Sequence, residues 1–205
     1  MRTTVTVTNT LSILAAVLVL AGCASSKTQE ATTFDFGPAA AHGGPPPAAL
    51  PAIVVMDATG PAALENERMY YRLNYANALE ARTYANSRWA SNPLQMVTQR
   101  MKARLSQSGM KVLSSTDAST GVPLLRVEVD DFVHAFSSAG QSEGQVTLRA
   151  SLFSDHRLLD QRTFTRTTPA PSADAAGGAR ALAASTDAVA PGIPAWLATV
   201  DTRKR

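Results

Sequence analysis

The stretch 124–136, LLRVEVDDFVHAF, decides the fold class because it opens a series of three long alternating stretches. Its apolar residues recur at every second position and so share one face of an extended chain. The alternation changes register near Asp130, which predicts a bulge or a twist. Residues 145–153 and 158–168 continue as strands, with a turn at Asp155–Arg157 between them. The three stretches therefore predict a meander of long antiparallel strands.

The clearest helix is predicted from Pro93 to about Ser108. Asn92 can cap its first turn, Pro93 suits the first helical position, and Gly109 can adopt the left-handed conformation that ends a helix. An apolar stripe with spacings of three and four faces the core: Leu94, Val97, Met101 and Leu105. Three basic residues favour a solvated helix face, with a docking patch for a partner as the alternative: Arg100, Lys102 and Arg104.

Shorter elements surround this helix. Strands are predicted at 34–36, 52–56 and 110–113, and 69–73 with 78–82 should form a β-hairpin. Residues 169–180 resemble a loop, and 181–189 form an alanine-rich helix that is interrupted at Pro191 and Pro194. We therefore expect an α/β fold: a two-layer sandwich with a mixed, largely antiparallel sheet and helices packed on one face.

The N-terminus carries a targeting signal. Arg2 supplies a thin cationic region, LSILAAVLVL at 11–20 is unbrokenly apolar, and Leu20-Ala21-Gly22-Cys23 follows as a lipobox. The apolar run is about half of the ~20 residues that a transmembrane helix needs, so cleavage before Cys23 is favoured over a span. An ordinary secretory signal with a stray cysteine is the alternative. We expect lipid on Cys23, and several acyl chains anchor a protein stably.

This signal divides the chain into a lipoprotein signal peptide at 1–22, a flexible tether at 23–32, one domain at 33–200 and a basic tail at 201–205. Ala24 is not the aspartate that resembles an inner-membrane retention signal, so we expect the bacterial outer membrane, facing the periplasm. Loss of Arg2 lowers the net charge from +3 to about +2, which does not indicate a nucleic-acid partner.

The sequence shows no convincing catalytic or metal-binding pattern. The three histidines, His42, His134 and His156, lack the spacing that places two imidazoles on one helix face, and solvated or edge positions are expected for them. Asp130 and Asp131 are adjacent in a strand, so their carboxylates point to opposite sides. Phosphate-binding and nucleophile-elbow motifs are missing from the sequence. We therefore expect no enzyme activity, no cofactor and no metal.

The segment 84–89, YANSRW, differs from its surroundings because two large aromatic residues and an arginine lie in a polar stretch. Such residues are enriched at the centres of protein interfaces. Tyr84, Arg88 and Trp89 are therefore candidate partner-binding residues. The alternative is that Tyr84 and Trp89 pack the start of the helix against the sheet, and this alternative is favoured for Trp89.

Several motifs follow one another in a characteristic order. The lipobox is followed by FDFG at 34–37, YYRL at 70–73, LEARTYANSRW at 79–89 and VEVDDF at 127–132. From about residue 33 to 168 the chain thereby resembles the auxiliary lipoprotein component of ABC-type transport systems. That family includes the small lipoproteins that accompany MCE-domain lipid transporters and the paraquat-inducible system.

The resemblance implies a non-enzymatic periplasmic accessory subunit that is tethered at Cys23. Such a subunit docks onto an MCE-domain protein, or onto the permease and ATPase of an ABC transporter, and supports the movement of lipid or hydrophobic solute. Family members usually finish with a long amphipathic helix, whereas Pro191 and Pro194 interrupt this chain.

Two other functions are compatible with the residues. A lipid-binding carrier would need a large apolar cavity between the sheet and the helix stripe, near Val97, Met101 and Leu105. A structural envelope lipoprotein would have no role in transport.

Overall fold

A computed structural model describes residues 31–39, 52–117 and 120–200. The chain divides at Glu30 into two compact units, and these residues belong to the second, Ala31–Arg205. Cys23, His42, the predicted signal peptide and the basic tail lie outside the described residues.

Strands and helices alternate in the first half of this unit, and long strands follow. The strands are β1 (Thr32–Phe34), β2 (Ile53–Val55), β3 (Arg68–Leu73), β4 (Ala81–Trp89), β5 (Val112–Ser114), β6 (Leu124–Phe136), β7 (Ser142–Ser154) and β8 (Arg157–Pro169). The helices are α1 (Pro93–Gln107), α2 (Ala175–Val189) and α3 (Gly192–Leu197). A 3₁₀ turn lies at Ala62–Glu65 and a short helical turn at Asn74–Asn77.

All eight strands form one curled mixed sheet in which β6 is central. One edge of β6 pairs with β7 along its length, and β7 pairs with β8. The other edge is shared: Val54 of β2 lies beside Leu124 at its start, and Tyr71 of β3 lies beside His134 near its end. The outer strands β5, β4 and β1 extend the sheet.

The expectation of a mixed α/β fold is confirmed, but a largely antiparallel two-layer sandwich is wrong in its details. Four of the seven pairings between described strands are parallel, and the sheet curls. The antiparallel meander β6–β7–β8 is present as predicted. The parallel pairings involve the short strands, because a short apolar stretch does not indicate the direction of its neighbour.

Local signals locate several features correctly. The register of β6 against β7 shifts between Val129 and Asp131, where the bulge was predicted. Asp155 and His156 form the β7–β8 turn with positive φ values of 49° and 64°, as two-residue hairpin turns require. The hairpin of β3 and β4 is also confirmed, for example by the pairing of Tyr70 with Thr83.

Helix α1 begins and ends as its capping residues predict. The Asn92 side chain accepts a hydrogen bond from the Gln95 N–H at 2.9 Å, and Gly109 has a φ of 86°. Its apolar stripe is buried in the core: Leu94, Val97, Met101 and Leu105.

Two of the three basic residues on α1 form neither a solvated helix face nor a docking patch. Arg100 and Arg104 are only 5% and 6% exposed and both bind the carboxylate of Asp187 on α2. Arg100 also donates to the carbonyls of Phe36 and Gly37, at 2.5 and 2.7 Å. One carboxylate faces two cations, and the two carbonyls supply further hydrogen-bond acceptors for Arg100. The buried arginines are therefore paired without contact with solvent.

Helix α2 begins at Ala175, inside the stretch predicted to be a loop. The Asp174 side chain accepts a hydrogen bond from the Gly177 N–H at 2.7 Å and caps the helix. Two glycines destabilise a helix interior by about 1 kcal/mol each, which is why the sequence resembled a loop. Both Gly177 and Gly178 are buried. The small size of Gly178 lets α2 approach the sheet at His134, and that of Gly177 leaves room for Ser172 in the loop before the helix.

The approach of α2 is closest at β6 and β7. A Cβ atom on Gly144 would lie 2.5 Å from the carbonyl carbon of Ala181 and from the nitrogen of Leu182, and one on Gly178 would overlap the imidazole of His134. Gly144 and His134 face each other across β6 and β7. The helix therefore covers both residues at backbone contact distance.

Adding a methyl group at Gly144 should force α2 away from the sheet. We expect Gly144→Ala to lower the free energy of unfolding by about 2–3 kcal/mol, because overpacking against backbone cannot relax by side-chain movement. Gly140→Ala is the matched control, since a Cβ there meets nothing within 4 Å, and it should change stability by less than about 0.5 kcal/mol. Urea unfolding of both variants tests this, and equal midpoints would contradict the close approach.

Removing the Arg100 guanidinium should leave the carbonyls of Phe36 and Gly37 unsatisfied. We expect Arg100→Met to cost about 3 kcal/mol of stability and to increase protease cleavage within residues 31–39. Lys102→Met is the control on the same helix, because Lys102 pairs with the exposed Asp57 at 3.5 Å, an interaction worth less than about 1 kcal/mol. Similar cleavage of the two variants would show that Arg100 does not hold this segment.

Candidate partner-binding site

A groove of about 920 Å³ opens beside β4 and contains two of the three candidate residues, Tyr84 and Arg88. Its wall combines the end of the 3₁₀ turn, the start of β3, the outer part of β4 and the first turn of α1. The lining residues are Ala31, Glu65, Asn66, Glu67, Arg68, Thr83, Tyr84, Ala85, Ser87, Arg88, Ser91, Asn92 and Gln95. We call this the β4 groove.

Arg88 is the candidate residue that is most accessible to a partner. It is exposed on β4, and its Nε donates to the Thr33 hydroxyl of β1 at 3.4 Å. In the register of the hairpin it lies opposite Arg68. Glu65 and Glu67 also line the groove. The result is a surface with two cationic and two anionic side chains close together.

Tyr84 lines the β4 groove but its hydroxyl is directed into the protein. Its oxygen and Nδ1 of His134 share a hydrogen bond of 2.8 Å, and its ring lies 4.6 Å from the ring of Tyr71. Burial raises the pKa of the Tyr84 phenol. Tyr84 is therefore half-buried and links the groove to the sheet interior.

Trp89 lies in the core with an exposure of 1%. Its indole packs edge-on against Phe36 at 5.8 Å and at a tilt against Phe132 at 5.7 Å, measured between ring centroids. Its backbone N–H donates to the carbonyl of Glu67 at 2.8 Å. Trp89 thus packs β4 against the segment that follows β1 and against β6, as a residue of the core.

His134 is fully buried, so the expected solvated or edge position is wrong for this histidine. The imidazole lies beneath Gly178 of α2, and its Nε2 atom has no hydrogen-bond partner among the described residues. Burial lowers the pKa of His134 from 6.5 to about 4, although the charge of Asp174 opposes this effect. The folded protein therefore holds the ring neutral at physiological pH.

The chemistry of the β4 groove fits polar contacts with a polypeptide. Sites for small apolar ligands enclose their ligand and are lined mainly by hydrophobic and aromatic side chains. The β4 groove is open to solvent and its lining is dominated by charged, amide and hydroxyl groups. A neighbouring groove of about 580 Å³ continues the same character and shares Glu65 and Asn92 with it.

Metal-ligating side chains do not converge in the described ranges: no group of three or more His, Cys, Asp or Glu residues there could hold a metal ion. Asp130 accepts from Arg149 at 2.8 Å, whereas burial raises the pKa of Asp131. The two carboxylates therefore lie in different environments, as their adjacent positions predicted.

Sequence reasoning missed most of the β4 groove. Asn92 was recognised only as a capping residue, and Glu65, Glu67 and Arg68 carried no recognisable motif. The juxtaposition of Arg68 with Arg88 depends on the register of the β3–β4 hairpin. That register shifts between Arg68 and Tyr70, so counting residues from the turn does not reveal it.

The model of the ABC-type transport auxiliary lipoprotein component family matches residues 34–193. The chain belongs to this family. The match runs from the last residue of β1 to the start of α3, and therefore includes the β4 groove apart from Ala31, and the buried Arg100 and His134. No curated protein sequence matches the chain.

Two solved structures share the fold of this family member. Protein XCC0632 from Xanthomonas campestris has a TM-score of 0.62 and 18% identity, over 83% of this chain and 87% of that chain. A crystal structure of an uncharacterized protein has a TM-score of 0.65 and 16% identity, over 82% and 99% of the two chains. At such identities the likeness concerns the fold alone.

Membership of a lipoprotein family indicates a protein that is held at a membrane of the cell envelope by a lipid anchor. Within the described ranges, every helix is too short or too polar to cross a bilayer.

Protonation of His134 should destabilise the fold. An unfolded chain protonates histidine near pH 6.5, whereas the folded protein does so near pH 4, so the unfolded state binds more protons between these values. The free energy of unfolding should therefore fall as the pH drops from about 6.5 to about 4, by up to about 3 kcal/mol.

Urea unfolding at several pH values tests this dependence. His134→Phe should weaken it in the window from about pH 6.5 to 4, whereas His156→Asn, at an exposed turn position with positive φ, should retain it. An unchanged slope in His134→Phe would contradict the assignment to His134.

Proposed function

We propose that this chain is a lipid-anchored, periplasmic accessory subunit of an ABC-type transport system that contains an MCE-domain protein. It supports the movement of lipid or hydrophobic solute across the envelope through protein–protein contact, without catalysis, and is held in the outer membrane at Cys23. The observation that carries the docking role is the β4 groove, where the exposed Arg88 lies beside a rigid, buried support.

The support for the partner class comes from the sequence motifs and from the family. Family membership indicates an association with an ABC transport system. The MCE-domain partner and the lipid cargo rest on the resemblance of the FDFG, YYRL and YANSRW motifs to lipoproteins of such systems. Ala24 after the predicted lipidated cysteine supports the outer membrane.

The geometry of the β4 groove favours docking. Arginine is enriched at the energetic centres of interfaces because its guanidinium forms several hydrogen bonds in a fixed plane. Arg88 is exposed, yet Trp89 beside it is buried and fixed by ring contacts with Phe36 and Phe132. A partner would therefore meet a preformed surface and lose little entropy in ordering it.

The lipid-carrier alternative has less support. Val97, Met101 and Leu105 are at most 1% exposed and belong to the packed core, where the carrier would need a cavity. None of these residues lines the β4 groove, the neighbouring groove of about 580 Å³ or a third groove beside Arg100. We therefore propose that the chain acts on transport through partners, and that it does not itself enclose an acyl chain.

Crosslinking mass spectrometry of the native protein in intact envelopes tests the partner. We expect links between residues around the β4 groove and an MCE-domain protein or an ABC permease. Links confined to other envelope lipoproteins or to peptidoglycan-associated proteins would favour the structural alternative.

A charge reversal at Arg88 should weaken the complex. We expect Arg88→Glu to reduce co-purification of the transport partner at least tenfold, because it replaces a cation by an anion beside Glu65 and Glu67. Arg166→Glu is the matched control, since Arg166 is an exposed arginine on the distant strand β8, and it should leave the yield unchanged. Equal yields from the two variants would show that the β4 groove is not the docking site.

A further inference from the structure

The loop between β3 and β4 exposes apolar side chains to an unusual degree. We call residues 74–80 the hairpin tip. Leu79 is 95% exposed and Tyr75 is 52% exposed. They are two of the three large apolar residues that are strongly exposed in the described ranges, and the third is Leu158 at 47%. Single exposed apolar residues are common, but two in one seven-residue loop form a local apolar projection.

The backbone of the hairpin tip is held in place. Asn77 accepts hydrogen bonds from the Leu79 N–H through its side chain at 3.1 Å and from the Glu80 N–H through its carbonyl at 3.2 Å. Glu80 in turn pairs with Arg82 at 2.8 Å. The Leu79 side chain is therefore presented outward by a structured turn.

The surroundings of the hairpin tip carry little unpaired charge. Leu73 at the end of β3 lies beside Phe136, and Phe136 pairs with Ser142, so the loop 137–141 is at the same end of the sheet. That loop contains no charged residue. The Ala170 N–H donates to Ser142, which places the loop 170–174 at this end as well. Its one charged residue, Asp174, caps α2.

The described chain begins at Ala31, on the side of β1 that faces this end of the sheet. Because β1 runs parallel to β4, with Thr32 beside Ser87, the chain reaches Thr32 from the direction of Ala81 and the hairpin tip. Ala81 is six residues from Ser87 on β4, a distance of about 20 Å along a strand. Thr32 is nine residues beyond Cys23, and nine residues span at most about 30 Å.

We propose that the hairpin tip contacts the bilayer that holds the lipid on Cys23, so that Leu79 and Tyr75 enter the boundary between headgroups and acyl chains. This inference rests on the proposed lipid anchor. The nine residues from Cys23 to Thr32 are long enough to span the distance from β1 to the level of the hairpin tip. Tyrosine is an amphipathic side chain that suits the membrane interface. Arg72 and Arg82 lie at the base of the tip, level with Ala81 and Tyr71, where they can meet phosphate groups.

This contact orients the domain on the membrane. The strand β7 runs 13 residues from the tip end to the β7–β8 turn, which is about 40 Å. Leu158 therefore lies far from the bilayer when the hairpin tip touches it.

An environment-sensitive fluorophore at the tip tests the contact. Leu79→Cys and the matched control Leu158→Cys are introduced into the full-length protein, purified in lipidated form. Lipid occupies the only native cysteine, Cys23, so each variant has one labelling site. The labelled proteins are reconstituted into phosphatidylethanolamine/phosphatidylglycerol vesicles that contain nitroxide-labelled acyl chains and no other protein.

We expect the nitroxide lipids to quench the probe at residue 79 at least threefold more strongly than the probe at residue 158. Equal quenching at the two positions, whether weak or strong, would overturn the proposed contact and orientation. The intact mass of the purified protein separates this failure from a failure of the anchor: Cys23 without acyl chains would overturn the anchor, and the membrane contact with it.

Discussion

The structure depends on one carboxylate, that of Asp187, which binds two buried arginines. Arg100 and Arg104 lie one turn apart on α1, and Asp187 lies on α2, more than 80 residues later. A buried cation is tolerated only when it is paired and hydrogen-bonded. Arg100 meets this condition with Asp187 and with the carbonyls of Phe36 and Gly37. The two helices and the segment after β1 are therefore assembled together.

This buried ion pair determines the candidate site indirectly. Arg100 holds the segment at Phe36, whose ring packs on Trp89 of β4, so that β1 lies beside the end of β4 and Thr33 reaches Arg88. The exposed arginine of the β4 groove is thus supported by a chain of contacts that begins at a buried arginine. A docking subunit gains from such support because its partner does not have to order the surface.

Features with local signals were predictable from the sequence. Asn92, Pro93 and Gly109 located α1, and the break in alternation near Asp130 located the bulge. The errors concern residues whose environment is created by distant elements. Arg100 and Arg104 were expected on a solvated face because their anion, Asp187, lies on another helix. His134 was expected at an edge or in solvent because its burial comes from α2, which is distant in the sequence. The start of α2 was missed because Gly177 and Gly178 are unfavourable in an isolated helix. In the fold, Gly178 lets α2 touch the sheet and Gly177 leaves room for Ser172 of the preceding loop.

The sequence by itself determined the family, the positions of the long strands and of α1, and the prediction of a lipid anchor at Cys23. These depend on motif order and on interactions between residues that are close along the chain. Only the tertiary structure decided that most strand pairings are parallel, that Arg88 beside the buried Trp89 is exposed, and that Tyr84 bonds to His134, 50 residues away. The physical reason is that burial and pairing depend on the elements that the fold brings together, and a local pattern contains no information about them.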